Sequence, residues 1–255
     1  MLEISGLHKT FHPGTPNEVA ALRGVSLTIE PGRFVIVIGT NGSGKTTLLN
    51  SVAGTFPPDS GTIRLSGHEI TRWPEHRRAP LIGRVFQNPF SGTAPDMSIE
   101  ENLALAARRG LSRGLAWALD RSLRQEIRDR VATLGMGFEN RLDHANGSLS
   151  GGQRQSLTLL MATWRRPDLL LLDEHTAALD PKSADKVVEL TRSIIDRDRL
   201  TVLMVTHSMR QAVDLGDRLV MMHLGSVLHD LQGRDKSDST PESLLQRFHS
   251  ADHAP

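Results

Sequence analysis

A glycine-rich loop that contains one lysine carries the clearest chemistry in the sequence. It consists of Gly39, Thr40, Asn41, Gly42, Ser43, Gly44, Lys45, Thr46 and Thr47, between an apolar run and a helical pattern. Glycines let the backbone curl so that successive N–H groups face one anion at the start of a helix. Lys45 would hold the β- and γ-phosphates, and Thr46 would offer its hydroxyl to Mg²⁺. The loop predicts a site for a nucleoside triphosphate; the alternative is a glycine-rich turn with a surface lysine.

Two adjacent acids follow the apolar run 169–172. Asp173 is expected to hold Mg²⁺, directly or through water, as the strand-end aspartate does beside such a phosphate loop. Glu174 is placed to orient an attacking water and to accept its proton as general base. The alternative is a pair of solvated acids at the end of a strand. Together with the loop, the two acids predict a site that hydrolyses a nucleoside triphosphate.

Three short runs rich in Val, Ile and Leu must position these loops. The runs 34–38, 169–172 and 201–205 predict buried strands, and each precedes a polar or glycine-bearing loop and then a helical pattern. Strands that alternate with helices predict an α/β fold, a mostly parallel sheet with helices on both faces. Because the glycine-rich loop matches the P-loop pattern, the predicted fold is that of a P-loop NTPase core. Ligands bind at the carboxyl ends of the strands in such a sheet, where these loops lie.

The remaining pattern predicts a single domain, 1–255, made of several parts. Its predicted parts are a core with an antiparallel β flank (1–87 and 159–231), an inserted helical subdomain (88–158) and a C-terminal tail (232–255). The first thirty residues and the segment 61–67 are expected to form the antiparallel flank.

Three helices are predicted in addition to those of the core. Ser98 and Glu101 have the spacing of a capping box at the start of the first. Apolar residues at three- and four-residue steps mark one face of the second: Leu119, Leu123, Ile127, Val131 and Leu134. Thr240 and Pro241 begin the third, and the polar stretch 232–240 before it is expected to be a surface loop.

The composition excludes several classes of protein. The 30 basic and 29 acidic residues leave a net charge of +1, so no long-range field favours a nucleic acid or an anionic lipid as partner. The absence of cysteine excludes disulfides, cysteine-ligated zinc and a thiol nucleophile. The N-terminus lacks the basic start and apolar run of a signal peptide. No apolar run approaches the roughly 20 residues that cross a bilayer, so a role in a membrane process would require another chain.

The string Leu149-Ser150-Gly151-Gly152-Gln153 resembles the signature motif of the ABC ATPases. Other elements of that family stand in the expected order around it. Gln87 resembles the Q-loop glutamine, Asp180 the D-loop aspartate and His207 the switch histidine. Phe11 lies where the family places an aromatic residue that stacks on adenine. The resemblance covers nearly the whole chain.

The resemblance implies ATP and Mg²⁺ as ligands and a head-to-tail dimer of two copies, in which the signature motif of one copy caps the γ-phosphate held by the other. The implied catalytic residues are Glu174, His207 and Gln87. The implied nucleotide-binding residues are the glycine-rich loop, Phe11, Gln87, Ser150, Gly151, Gly152, Gln153, Asp173 and Asp180. The implied Mg²⁺ ligands are Thr46, Gln87 and Asp173. Movement of Gln87 would pass the closure of the dimer to a permease.

Four of these residues have a simpler alternative. Phe11 could be a core or edge aromatic, and Gln87 an ordinary exposed loop residue. His207 could be a structural histidine. Asp180 could merely cap a helix that begins at Pro181.

His175 departs from the family pattern. Most family members have proline after the catalytic glutamate, where it would fix φ and remove a backbone donor. His175 does neither, and it is expected to be a solvated loop residue; the alternative is a contact with nucleotide or with a partner subunit. Because Glu174 is intact, an active ATPase is expected.

Within the family, the sequence favours a transport subunit. The segment between Lys45 and Ser150 lacks the sustained heptads of chromosome-organising relatives. Segments 88–102 and 173–182 resemble those of importer ATPases that work with an amino-acid-type permease and a periplasmic solute-binding protein. The implied location is the cytoplasmic face of the bacterial inner membrane. The alternatives are a separately encoded exporter or lipid-extraction ATPase, and a soluble ABC ATPase without a transport role.

Overall fold

The computed structural model describes residues 1–111 and 119–252, so 112–118 of the predicted helical subdomain and 253–255 of the predicted tail lie outside the described residues. The described strands are β1 (Leu2–Phe11), β2 (Val19–Ile29), β3 (Phe34–Gly39), β4 (Ser60–Leu65), β5 (His68–Glu69), β6 (Ile82–Val85), β7 (Leu169–Asp173), β8 (Val202–Val205), β9 (Arg218–His223) and β10 (Ser226–Gln232). The described helices are α1 (Lys45–Ala53), α2 (Glu75–Arg78), α3 (Ile99–Ala107), α4 (Arg121–Ala132), α5 (Gly151–Thr163), α6 (Pro181–Asp198), α7 (Met209–Asp214), α8 (Arg234–Ser237) and α9 (Pro241–Asp252). The chain divides into two compact units, Met1–Arg78 with Arg199–Pro255, and Ala79–Asp198.

In the first unit, β3 is the centre of a parallel sheet. It pairs in parallel with β8 on one side and with β9 on the other, and β10 pairs antiparallel with β9. The four residues 35–38 are fully buried, as expected for a strand covered on both faces. Val37 lies opposite Val205, so β3 and β8 end at the same edge of the sheet. The parallel strands predicted for 34–38 and 201–205 are confirmed.

The predicted antiparallel flank is also confirmed. β1 pairs antiparallel with both β2 and β4, and β4 continues into the short strand β5. Leu2, Ile4 and Leu7 are buried on this sheet.

In the second unit, β6 and β7 form a parallel pair with Val85 opposite Leu172. The residues of β7 from 169 to 172 have no exposed surface. Helices α3, α4 and α5 bury a separate apolar core that includes Ile127, Phe138 and Leu157. The predicted capping box at the start of α3 is confirmed in both of its hydrogen bonds.

Helix α4 is shorter than its apolar pattern predicts. Asp120 caps its first turn by accepting a hydrogen bond from the Leu123 amide at 2.8 Å, so Leu119 precedes the helix. At the other end Gly135 adopts a left-handed φ of 62° just after Leu134, which lies outside the helix. Both leucines nevertheless pack against the apolar core, and this contact explains why they share the helical spacing.

The prediction of a surface loop over 232–240 was partly wrong. β10 extends to Gln232, and α8 forms one helical turn after it. Lys236 is buried within that turn, with its ammonium group donating to the carbonyl of Val213 at 2.6 Å. The helix predicted from Pro241 is present as α9, and Leu244 is buried on it. None of the described helices is long and apolar enough to cross a membrane.

Candidate active site

The glycine-rich loop connects the buried end of β3 to the start of α1. Gly42 and Gly44 adopt φ values of 78° and 95°, in the left-handed region that other residues rarely occupy. A Cβ atom on Gly44 would lie 2.3 Å from the carbonyl oxygen of Ala21. Gly44 is the N-cap of α1 and has no side chain to cap it, so an anion can take up the N–H groups of the first turn.

The side chain of Lys45 folds back onto the glycine-rich loop. The residue is buried, and its ammonium group donates to the carbonyl oxygens of Gly39 at 2.8 Å and Thr40 at 2.9 Å. The hydroxyl of Ser43 lies 3.4 Å away. Thr46, the next residue of α1, is exposed. The loop therefore contains a fixed positive charge beside the N-terminus of a helix, which suits a phosphate group.

His207 lies at the same edge of the sheet as this loop because β3 and β8 are parallel. It is exposed in the turn between β8 and α7. The hydroxyl of Thr206 fixes this turn by accepting from the Ser208 amide at 3.1 Å and donating to the Gln211 side chain at 3.0 Å.

The second unit places the two acids at the carboxyl end of β7. Asp173 is the last residue of the strand and is buried, and Glu174 follows in a left-handed conformation with φ of 43°. The amide nitrogen of Gln87 donates to the Glu174 carboxylate at 3.3 Å. The pairing of β6 with β7 brings these two turns together, because parallel neighbouring strands end at one edge. Sequence spacing alone does not show this contact across 87 positions.

Arg84 is a neighbour of the acids that the sequence reasoning missed. Its guanidinium lies 3.5 Å from the Asp173 carboxylate and stacks over the Phe86 ring with 4.5 Å to the centroid. Arginine within a strand gives no signal of its own, because its partner lies on another strand. The contact holds a cation beside the carboxylate predicted to bind Mg²⁺.

Ser150 caps α5, the helix that starts with the signature glycines. Its hydroxyl accepts from the Gln153 amide at 3.3 Å, while the Gln153 side chain accepts from the Ser150 amide at 3.1 Å. Ser150 and Gly151 are exposed. Gly152 is buried, and a Cβ atom there would lie 2.8 Å from the Cβ atom of Ser183. The exposed helix start can therefore meet an anion, and its glycine allows close packing against α6.

Comparison with known proteins decides the family. Residues 22–177 match the profile described as ABC transporter. The chain belongs to the ABC transporter family. It is 42% identical over 253 residues to the tyrosine transport ATP-binding protein of Clostridioides difficile, covering 98% of this chain and 100% of that one. It is 35% identical to a lipoprotein-releasing system ATP-binding protein of Caulobacter vibrioides, over 87% of this chain and 92% of that one.

A solved ABC cassette has the same fold. A dimeric ATP-binding cassette in a post-hydrolysis state, bound to ADP and phosphate, superimposes with a TM-score of 0.75 at 28% identity, over 91% of this chain and 98% of that one. The predicted P-loop NTPase fold and the resemblance to ABC ATPases are confirmed. The chain is an ATP-binding subunit of an ABC transporter, and its enzymatic activity is that of an ATPase.

In this ABC subunit Phe11 belongs to an aromatic pair that the sequence reasoning missed. Its ring meets the ring of Phe56 edge to face, with centroids 5.3 Å apart. The ammonium group of Lys9 lies 5.7 and 5.6 Å from the two centroids. Phe11 is partly exposed at the end of β1. This exposure fits both an aromatic residue at the sheet edge and one that stacks on adenine.

His175 of the ABC subunit corrects an expectation. It is not solvated: only 1% of its surface is exposed, and its Nε2 lies 3.1 Å from the Thr191 hydroxyl on α6. Burial lowers the pKa of His175 to about 4, so the ring is neutral at physiological pH. The sequence suggested a loop residue because the position lies in a turn, but α6 covers that turn.

Arg154 fixes the segment that leads into the signature helix, and the sequence reasoning did not identify it. It is buried, and it donates to the carbonyl oxygens of Gly147 at 2.9 Å and Leu149 at 3.1 Å. Its guanidinium stacks 3.6 Å from the centroid of the exposed Phe90 ring. Arg154 thereby connects the segment after Gln87 with the start of the signature motif.

Asp180 is the N-terminal cap of α6. Its carboxylate accepts from the Ser183 amide at 3.1 Å, and the hydrogen bonds from Ser183 hold its pKa below the usual range. The side chain is exposed. The cap that the sequence offered as the simpler alternative is therefore present.

Proposed function

We propose that this ABC ATPase powers the import of an amino-acid-like solute. The observation that carries the proposal is the similarity to a protein named for tyrosine transport. The identity is 42%, and the match covers 100% of that protein. A methionine import ATP-binding protein of Corynebacterium efficiens is 31% identical over 97% of this chain. The solute itself would be selected by the proposed partners, a permease and a periplasmic solute-binding protein. The proposed location is the cytoplasmic face of the inner membrane.

We propose Glu174 as the general base of ATP hydrolysis. The Gln87 side chain restrains this carboxylate by donating to it, and a carboxylate so held can orient an attacking water and accept its proton. Lys45 and the first N–H groups of α1 would bind the phosphate oxygens, and His207 would orient the γ-phosphate. Thr46, Asp173 and Gln87 supply the hard oxygen donors that suit Mg²⁺. Bound Mg²⁺ would neutralise charge on the β- and γ-phosphates.

The exposed start of α5 supports a nucleotide site shared by two copies. Ser150, Gly151 and Gly152 would contact the γ-phosphate held in the phosphate loop of the second copy. The helix has 13 residues, long enough for its N-terminus to favour an anion. Asp180 would lie at the same interface and respond to its closure. ATP would hold the dimer closed, and loss of the γ-phosphate would weaken it.

Turnover by a Glu174→Gln variant tests the assignment of the base. The amide keeps the size of the side chain but cannot accept the proton, so ATP binding should be retained and kcat should fall by about 100-fold or more. Glu189→Gln removes an exposed carboxylate of α6 and is the matched control. Wild-type turnover in the Glu174 variant would remove this residue from the base role.

A second candidate function is the extraction of lipidated proteins, which the 35% identity to a lipoprotein-releasing ATP-binding protein favours. Purification of the native complex from membranes, followed by identification of the chains that co-purify, distinguishes the two. Import predicts a permease and a solute-binding protein in the complex. A co-purifying lipoprotein without a solute-binding protein would support extraction and contradict import.

A further inference from the structure

Glu174 requires support from its surroundings. Among the described residues 79–111 and 119–198, it is the only residue other than glycine with a positive φ, at 43°. This conformation is costly for a residue with a Cβ atom, and it persists only where the surrounding structure holds it. The direction of the carboxylate depends on this backbone conformation.

Two anchors lie on either side of Glu174. On one side, Asp173 belongs to β7, whose backbone is fixed by pairing with β6. On the other side, His175 is buried, and its Nε2 atom contacts the hydroxyl of Thr191 at 3.1 Å. The chain cannot rotate freely at Glu174 while both neighbours are held.

The hydrogen bond between His175 and Thr191 has a defined direction. The Thr191 hydroxyl has one hydrogen, and it donates that hydrogen to the carbonyl oxygen of Val187 at 2.6 Å. Its oxygen must therefore accept from His175, which fixes the neutral tautomer with hydrogen on Nε2. The Nδ1 atom of His175 is buried and has no hydrogen-bond partner in the described part of the protein.

The helix that holds His175 also packs near the signature motif. α6 begins beside Asp180 and carries Ser183 in its first turn, where Ser183 packs against Gly152 of α5. Thr191 is two turns further along the same helix. The imidazole therefore fixes the backbone after Glu174 to the helix that contacts the start of α5.

We propose that His175 is a positioning residue for Glu174, acting through its hydrogen bond to Thr191. The hydrogen bond of His175 restrains the backbone after Glu174. A proline at this position would restrain it instead through its ring, which fixes φ. The proposal rests on the proposed role of Glu174 as general base. It assigns His175 no contact with nucleotide and no proton transfer.

Two matched pairs of variants of the full-length chain test this role. Thr191→Val removes the acceptor with little change in volume, and Thr191→Ser keeps the hydroxyl. His175→Leu removes the donor, and His175→Gln offers an N–H group at a similar distance. We expect kcat per bound nucleotide to fall at least about fivefold in the Val and Leu variants, since small misplacement of a catalytic group costs up to about 100-fold. KM for Mg-ATP should stay within about twofold, and the Ser and Gln variants should recover turnover.

The outcomes separate positioning from simple support of the fold. Equal kcat in the Thr191→Val and Thr191→Ser variants would overturn the proposal, as would a loss of nucleotide binding in parallel with turnover. If His175→Leu fails to fold, the Thr191 pair still decides. In a Glu174→Gln background, Thr191→Val should cause no further fall in residual turnover, and an additional fall would contradict action through Glu174. Wild-type turnover of Glu174→Gln itself would instead overturn the proposed function.

Discussion

The phosphate loop and the turn that carries Glu174 obtain their conformations in different ways. In the phosphate loop the positive φ angles belong to glycines, and Lys45 bonds to carbonyl oxygens five and six residues before it. In the turn after β7, Glu174 adopts a positive φ although it is not a glycine. Its neighbour His175 is held by a hydrogen bond to Thr191, sixteen residues later. The binding loop therefore relies on glycines for its left-handed positions and on contacts of Lys45 within the loop, whereas the turn with the proposed base depends on a neighbouring helix.

The largest effect should come from glycine substitution within the phosphate loop. Gly44→Ala combines a φ of 95° with a Cβ atom 2.3 Å from a carbonyl oxygen, whereas Gly42→Ala meets no atom within 4 Å and suffers only from its φ of 78°. We expect Gly44→Ala to abolish measurable ATP binding in titration calorimetry. Gly42→Ala should weaken binding by about tenfold, in line with roughly 1–2 kcal/mol for a left-handed alanine. Equal losses in the two variants would show that the close approach of Gly44 to the Ala21 carbonyl oxygen does not control ATP binding.

An effect of intermediate size should appear in the stability of the protein at acidic pH, through the buried His175. The pKa of His175 is lowered from its ordinary value of 6.5 to about 4, so the unfolded chain binds a proton in this interval and the folded chain does not. The free energy of unfolding should therefore decrease as the pH falls from about 6.5 to about 4, by on the order of 1 kcal/mol per pH unit. Urea unfolding of the wild type and of His175→Gln at several pH values measures this contribution. Parallel pH profiles of the two proteins would contradict the buried, neutral histidine.

The smallest effect should come from Asp180, the exposed residue that caps α6 after the turn with Glu174. Asp180→Ala removes the carboxylate that accepts from the Ser183 amide, whereas Asp180→Ser retains an N-cap oxygen. We expect the alanine variant to lower Tm by about 2–4 °C, the usual shift for loss of one cap in a chain of this size. The serine variant should melt near the wild type. A large loss of turnover in the folded serine variant would indicate that the carboxylate acts beyond capping.

The parts of the molecule that the sequence predicts are those set by short-range rules. The glycine-rich loop, the apolar run of each buried strand and the capping box at Ser98 and Glu101 all depend on residues within a few positions of each other. The extent of α4 was harder to predict, because Leu119 and Leu134 pack in the same core without belonging to the helix.

The contacts that the sequence reasoning missed join residues far apart in the chain. Phe56 meets Phe11, Arg84 meets Asp173, and His175 meets Thr191. No periodicity or spacing marks such pairs, because they form only when strands and helices pack. The burial of Lys236 was missed for the same reason, since its acceptor at Val213 belongs to another helix.

The central claim of the proposed function is that ATP binds between two copies of the chain, with Ser150 of one copy at the nucleotide of the other. Analytical ultracentrifugation of the Glu174→Gln protein, with and without ATP, tests this claim most directly. Ser150→Arg is added to this protein as the test substitution, and Ser148→Arg, at a nearby exposed serine, is added separately as the control. We predict a dimer that requires ATP, retained with Ser148→Arg and lost with Ser150→Arg, although the latter still binds ATP as a monomer. An ATP-dependent dimer that survives Ser150→Arg would contradict the claim.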